Sequence, residues 1–146
     1  MNAVLLEPTP IWKNAYMEEQ PSERLIDQRI RNRIMEAVET LADGDDGVRR
    51  DWPAEYFESF YDWIPHRSDG GMRPNSAITA DEGALLLEVS AILDDACDAT
   101  PGNMTADEFI ATGWPKRIQP VALKALSLMR ARSQFSEEQE EEAPSA

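Results

Sequence analysis

The sequence predicts an all-α protein, a compact bundle of four to five helices with an extended N-terminal arm and a disordered acidic C-terminal tail. Apolar residues recur at the 3.6-residue period of amphipathic helices, and no segment sustains the apolar–polar alternation of a strand. Helix-capping residues precede several of the periodic segments. We divide the chain of 146 residues into an arm over 1–20, a helical domain over 21–132 and a tail over 133–146.

The composition limits the classes of partner. The chain has 28 acidic and 14 basic residues and a formal net charge of -14. This charge argues against direct nucleic-acid binding, which needs a basic surface, and favours a basic protein partner with salt-sensitive association. No segment approaches the ~18 apolar residues of a membrane span, no signal peptide is expected, and the single Cys97 cannot form an internal disulfide. We therefore expect a cytoplasmic protein that contacts no membrane.

The two ends of the chain differ in character from the segment between them. Pro8 and Pro10 favour an extended arm, which we expect Trp12 and Tyr16 to pack against the domain. Segment 133–146 contains five glutamates and no basic residue. Such a run of like charges repels itself, so the sequence predicts a disordered tail.

The first predicted helix runs from about Glu23 to Ala42, with Ser22 as its N-cap and Gly44 as its stop. We expect segment 43–47 after it to be a turn. The arginines of the first helix alternate with acidic residues, which indicates ion pairing within the molecule; a small basic groove is the alternative. These arginines are Arg24, Arg29, Arg31 and Arg33, and the apolar face of the helix carries Ile26, Ile30, Ile34, Ala37, Val38 and Leu41.

The second predicted helix, from about Pro53 to Ile64, has an aromatic side and an acidic side. Its aromatic side favours packing in the core. A binding surface for a basic partner is compatible with that packing, because aromatic anchors supply contact area and carboxylates supply complementary charge. The residues that we predict to bind the partner are Glu55, Glu58, Tyr61 and Asp62.

Two further helix starts carry the same four residues, Thr-Ala-Asp-Glu. In each, the threonine and the glutamate three residues later can form a capping box. One opens the third helix at Thr79, which ends before Pro101, and the other opens a short fourth helix at Thr105. The fifth helix runs from about Arg117 to Arg132. We expect the first, third and fifth helices to be the main members of the bundle.

Few residues offer catalytic or metal-binding chemistry. His66, the only histidine, lies in a polar loop, and we interpret it as a solvated loop residue. Cys97 lies at the edge of an apolar helix face, and we interpret it as half-buried core filler. Asp94, Asp95 and Asp98 could bind a hard cation but are typical of a solvated acidic face. One cysteine and one histidine leave too few ligands for zinc. The sequence therefore predicts no catalytic residue, no metal and no cofactor.

Several features between Arg29 and Met129 suggest a resemblance. They include the apolar spacing of the first helix, a tryptophan before an aromatic-acidic segment, an Asp-Glu helix start, and Trp114 before an Ala-Leu helix. Together they resemble small uncharacterised bacterial helical proteins. In character alone, an acidic bundle with an aromatic-acidic helix also resembles bacterial immunity proteins. The resemblance implies no activity and no catalytic residue.

We expect a non-enzymatic protein-binding module of the immunity, inhibitor or adaptor type. A second hypothesis is a structural or accessory subunit that assembles through apolar helix faces, including as a homo-oligomer; Leu87 and Ala91 lie off the main apolar stripe and could form such a face. A third is an acidic nucleic-acid mimic that inhibits a DNA- or RNA-binding protein. A fourth is an enzyme that uses His66 with nearby acids.

Overall fold

The computed structural model describes residues 20–142, and within this range the fold is all-α, with six helices and no strand. This confirms the predicted fold class. The predicted arm lies outside the described residues except for its last position. None of the helices between residues 20 and 142 has the length and apolarity needed to cross a bilayer. The helices are α1 (Glu23–Ala42), α2 (Asp45–Asp51), α3 (Ala54–Tyr61), α4 (Ala80–Asp98), α5 (Ala106–Ala111) and α6 (Trp114–Arg130).

The predicted N-caps are present. The Ser22 hydroxyl oxygen accepts a hydrogen bond from the Leu25 N–H at 3.1 Å and starts α1. The capping boxes at Thr79 and Thr105 are both complete, with reciprocal side-chain and backbone hydrogen bonds. These local contacts fix where α4 and α5 begin.

Several helix boundaries differ from the prediction. The second predicted helix, from about Pro53 to Ile64, is shorter at both ends and forms α3 over Ala54–Tyr61. The expected turn over 43–47 is shorter, because α2 already begins at Asp45 after Gly44, whose φ of 60° interrupts the helical path. Two acids in the first turn of α2 and two arginines in its last turn complement the helix dipole. Helix α6 begins at Trp114 rather than Arg117, since Pro115 in the first turn has no N–H that needs a partner.

Three long helices form the centre of the bundle, as predicted. Helix α6 packs against both α1 and α4, while α3 also packs against α1. Apolar residues from α1, α4 and α6 are fully buried where these helices meet, among them Val38, Leu41, Leu86, Leu93, Ile118 and Ala122.

The aromatic residues around α3 belong mainly to the core, which agrees with the packing interpretation. Tyr56 and Phe60 are each 1% exposed. Trp52 stacks on Phe109 with 4.4 Å between ring centroids, and its indole N–H donates to the Met104 carbonyl at 2.9 Å. These contacts join the connection between α2 and α3 to α5 and to the residue before Thr105.

A buried ion cluster connects the start of α4 to α1 and to the end of α6. The Glu82 carboxylate accepts hydrogen bonds from Arg31 Nη2 at 2.8 Å and from Arg132 Nη2 at 2.7 Å. Glu82 and Arg31 are 1% and 0% exposed. Burial alone would raise the pKa of Glu82, but hydrogen bonds from Arg132, Arg31 and the Thr79 N–H outweigh it and hold the pKa below its ordinary value. The predicted pairing of the first-helix arginines thus includes a partner from a distant helix.

Because Arg31 and Arg132 both bind the single carboxylate of Glu82, the cluster carries an excess positive charge, which other groups balance. Arg31 also donates to the carbonyls of Met129 (2.9 Å) and Ser133 (2.8 Å), at the end of α6 where the helix dipole is negative. The Phe135 ring lies 4.6 Å from the Arg31 guanidinium and 4.9 Å from that of Arg132, so its negative π face adjoins both cations.

Part of the predicted disordered tail is packed against α1. Residues 133–142 form neither helix nor strand, yet Phe135 is only 8% exposed. The Asn32 amide donates to the Phe135 carbonyl at 2.8 Å and accepts from its N–H at 3.0 Å. This stretch departs from the predicted disorder because one aromatic ring and a row of arginines and amides on α1 anchor it. Residues 143–146 lie outside the described range.

We predict that Glu82→Gln lowers the free energy of unfolding at pH 7 by about 3 kcal/mol, because the buried Arg31 and the half-buried Arg132 lose their carboxylate. The folded-state pKa of Glu82 lies below the ordinary value of 4.5, so the carboxylate stabilises the fold fully above that pH. This contribution disappears as the pH falls through the folded-state pKa. Urea unfolding at several pH values measures the difference, and Glu88→Gln on the exposed side of α4 is the control. A constant difference down to pH 2 would contradict the assignment.

Candidate protein-interaction surface

Three carboxylates lie together on the outer side of α3. Glu55, Glu58 and Asp62 are exposed and follow one another at intervals of three and four residues, which places them on one side of the helix. We call these three residues the acidic face. Among residues 20–142, no lysine or arginine forms an ion pair with any of them. Their negative charge is therefore directed to solvent without a neutralising partner in this part of the chain.

The packing of the aromatic side of α3 sets the direction of the acidic face. Burying a large apolar side chain such as Phe60 contributes about 1.5–3 kcal/mol, whereas an exposed ion pair contributes at most about 1 kcal/mol. The aromatic rings therefore decide which side of α3 faces the core. The carboxylates occupy the opposite side as a consequence.

Tyr61, the fourth predicted partner-binding residue, connects α3 to α4. It is half-buried, and its hydroxyl donates to Asp94 Oδ1 at 2.8 Å. Burial and this hydrogen bond raise the pKa of Tyr61. The hydroxyl is thus already bound within the molecule, while the carboxylates of the acidic face remain accessible.

His66 anchors the loop after α3 to the C-terminal part of α4. The Ser68 N–H donates to His66 Nδ1 at 3.0 Å, so the proton of the neutral ring is on Nε2, which donates to Asp98 Oδ1 at 2.8 Å. Arg67 Nη2 also donates to Asp98, at 2.8 Å, and to Asp95, at 3.0 Å. Hydrogen bonds from His66 and then Arg67 lower the pKa of Asp98.

The contacts of His66 bear on the enzyme hypothesis. Ser68 Oγ also lies 2.8 Å from His66 Nδ1, so serine, histidine and aspartate are in a row. A general base needs a free lone pair for the serine proton, but the Ser68 N–H already occupies the one on Nδ1. Burial, and then the nearby Asp98 charge, raise the pKa of the Cys97 thiol, which disfavours the nucleophilic thiolate. His66 is therefore held within the fold by Asp98 and is not the solvated loop residue that the sequence predicts.

The aspartates of α4 are bound by neighbouring side chains. Asp94 accepts from Tyr61 and from the Arg67 N–H, and Asp95 and Asp98 accept from the Arg67 guanidinium. Within the described residues, no group of three or more His, Cys, Asp and Glu side chains is placed to hold a metal ion.

A shallow groove of about 290 Å³ adjoins the acidic face. It runs between α1 and α3. Helix α1 contributes Arg33 and Thr40, and the residues directly after α3 contribute Asp62 and Trp63. A partner that contacts Asp62 therefore also reaches Trp63, which is half-buried.

Sequence reasoning missed two polar residues on the buried side of α1. Gln28 and Asn32 are 0% and 1% exposed and bind the C-terminal residues 133–142. Their spacing of four residues places them on one side of the helix. An amide on a helix face that also carries buried apolar residues needs a hydrogen-bond partner, and that signal could have indicated a bound segment.

Comparison with protein-family models, curated protein sequences and solved structures finds no match for this chain. The resemblance to small bacterial helical proteins therefore stays a prediction.

We predict that His66→Ala raises the pKa of Asp98 towards its ordinary value of 3.8, because the histidine hydrogen bond is the largest cause of the lowering. Carboxyl-detected NMR titration measures this pKa. Glu108 is the internal control: its own lowered pKa comes from Thr105 and should not change. An unchanged Asp98 pKa in the variant would show that His66 does not bind this carboxylate in solution.

Proposed function

We propose that this protein is a non-enzymatic protein-binding module, of the immunity, inhibitor or adaptor type, which docks its acidic face on a more basic protein. The observation that supports the proposal is the acidic face itself. It presents three exposed carboxylates, Glu55, Glu58 and Asp62, that form no ion pair within residues 20–142.

Other acidic residues contrast with these three. Arg130 pairs with Glu39, Arg67 pairs with Asp95, and Arg33 pairs with Glu137. Such pairing reduces the charge that a partner meets. The acidic face therefore retains the attraction that steers a basic protein during encounter.

The acidic face also has the rigidity and the aromatic content that binding sites use. Tyr61 ties α3 to α4 through Asp94, so the carboxylates need little ordering when a partner binds. Half-buried Phe57 and Trp63 lie on the same short segment, and aromatic residues are enriched among those that contribute most to binding energy. The cytoplasm is the proposed setting, since a chain with the single Cys97 forms no internal disulfide.

We predict that the triple variant E55Q/E58Q/D62N binds the partner about 10-fold more weakly, because three rim charges together contribute on the order of 1.4 kcal/mol. Affinity capture from the native host, followed by mass spectrometry, first identifies a basic partner. Calorimetry with the purified partner then measures affinity at low and at physiological ionic strength. Wild-type affinity should fall as salt increases, and the variant should show a smaller dependence.

The matched control is D81N/E88Q/D107N, which removes three exposed carboxylates from other helices and changes the net charge equally. Equal losses in both triple variants would indicate that total charge, rather than the acidic face, governs binding. A wild-type affinity that does not change with salt would contradict the electrostatic part of the proposal. Competition by DNA for the same site on the partner would favour the nucleic-acid mimic instead.

A second candidate function is assembly through the outer side of α4. Leu87 is 53% exposed and Ala91, one turn later, is also exposed, so a small apolar surface faces solvent. Light scattering at two concentrations distinguishes the candidates. A homodimer would double the mass of 16.4 kDa as the concentration rises, and Leu87→Ser would restore the monomer. A mass that stays constant favours the charge-driven binding module.

A further inference from the structure

The C-terminal residues 133–142, which we call the strap, lie along α1 as a bound peptide would. Asn32 binds both the N–H and the carbonyl of Phe135. Gln28, one turn earlier, donates to the carbonyls of Ser136 and Gln139 at 2.9 Å each and accepts from the Glu141 N–H at 2.7 Å. Two buried side-chain amides of α1 thus bind the main chain of the strap.

Three guanidinium groups surround the only aromatic ring of the strap. The Phe135 ring lies 5.6 Å from the guanidinium carbon of Arg24, 4.6 Å from that of Arg31 and 4.9 Å from that of Arg132. Cation–π contacts become stronger when they are desolvated, and Phe135 is nearly buried. This arrangement selects an aromatic residue at that position.

A carboxylate two residues after the ring is also recognised. Glu137 Oε2 accepts from Asn32 Nδ2 at 3.0 Å and pairs with Arg33, and Arg29 Nε donates to the Glu137 carbonyl at 2.8 Å. The hydrogen bond from Asn32 and the charge of Arg33 lower the pKa of Glu137. The groove therefore has three kinds of binding group. The side-chain amides of Gln28 and Asn32 bind peptide backbone, a pocket lined by arginines holds an aromatic ring, and Arg33 binds a carboxylate.

We propose that this groove on α1 is a peptide-binding site, which the strap occupies in cis. Its partner is an extended acidic segment of another protein that carries an aromatic residue with a carboxylate two positions later. Gln28 Oε1 and Asn32 Oδ1 accept hydrogen bonds from peptide N–H groups. A phosphodiester backbone has no such donor, so the same contacts disfavour nucleic acid as the occupant. The site borders the acidic face at Arg33, which pairs with Glu137 and also lines the groove beside Asp62, but it does not depend on the function of that face.

The test uses the full chain and a fluorescein-labelled peptide with the sequence of residues 133–142. In the wild type, the tethered strap competes at an effective concentration on the order of millimolar. Phe135→Ala removes the ring of the strap and weakens this competition. We expect the F135A chain to bind the peptide at least 10-fold more tightly than the wild type by fluorescence anisotropy. We also expect a peptide whose phenylalanine is replaced by alanine to bind at least 10-fold more weakly than the parent.

Phe135 also covers the buried Arg31, so circular dichroism checks the fold of the F135A chain, and one further measurement is independent of that variant's stability. In the wild type, excess peptide should speed hydrogen exchange at the Phe135 and Glu141 amides and leave α4 unchanged. Adding Asn32→Asp to the F135A chain removes the amide donor, so peptide binding should be weaker than in the F135A chain alone. Four outcomes would each overturn the proposal. Two concern affinity: the F135A and wild-type chains bind the peptide equally, or the alanine peptide binds as tightly as the parent peptide. The other two concern the occupant: a single-stranded oligonucleotide competes as well as the unlabelled peptide, or the chain forms a dimer that exchanges straps.

Discussion

The buried Glu82 carboxylate is the contact on which the arrangement of the long helices depends. It completes the capping box that starts α4, and it accepts hydrogen bonds from Arg31 of α1 and from Arg132 after α6. A buried ion pair gives little net stability compared with apolar packing, but loss of one partner leaves an unpaired buried charge that costs several kcal/mol. The cluster therefore selects against alternative packings of the three helices, since each of these would leave Arg31 or Glu82 without a partner.

The same cluster explains why the strap is packed. Two arginines face one carboxylate, so the site keeps a positive charge that the end of α6 and the Phe135 ring offset. The ring excludes water from the guanidinium of Arg31, and the Asn32 amide holds the backbone that carries the ring. By composition the strap is a run of glutamates that repel one another. Through Phe135 it nevertheless packs directly against the buried cluster of Glu82, Arg31 and Arg132.

The features that could be predicted from the sequence are those that short-range chemistry determines. The capping boxes at Thr79 and Thr105 depend on groups three residues apart, and the outward direction of Glu55 and Glu58 follows from helical periodicity. Contacts between distant residues could not be predicted in this way. Arg31 and Glu82 are 51 residues apart, and His66 and Asp98 are 32 apart. The strap was missed for a related reason: net charge describes a segment as a whole, whereas a single residue, Phe135, decides where this one packs.

Two surfaces of opposite sign follow from this packing, and they differ in the forces that they offer a ligand. On the acidic face, carboxylates act at a distance through solvent, where charges more than about 10 Å apart are screened at 0.1 M salt. In the groove on α1, a ring is buried and peptide groups are bound by Gln28 and Asn32, and these contacts are short-range and largely independent of ionic strength. Of the five glutamates of the strap, Glu137 pairs its carboxylate with an arginine of that groove. The two proposed ligands therefore differ in charge: the acidic face attracts a basic protein, and the arginines of the groove attract an acidic peptide.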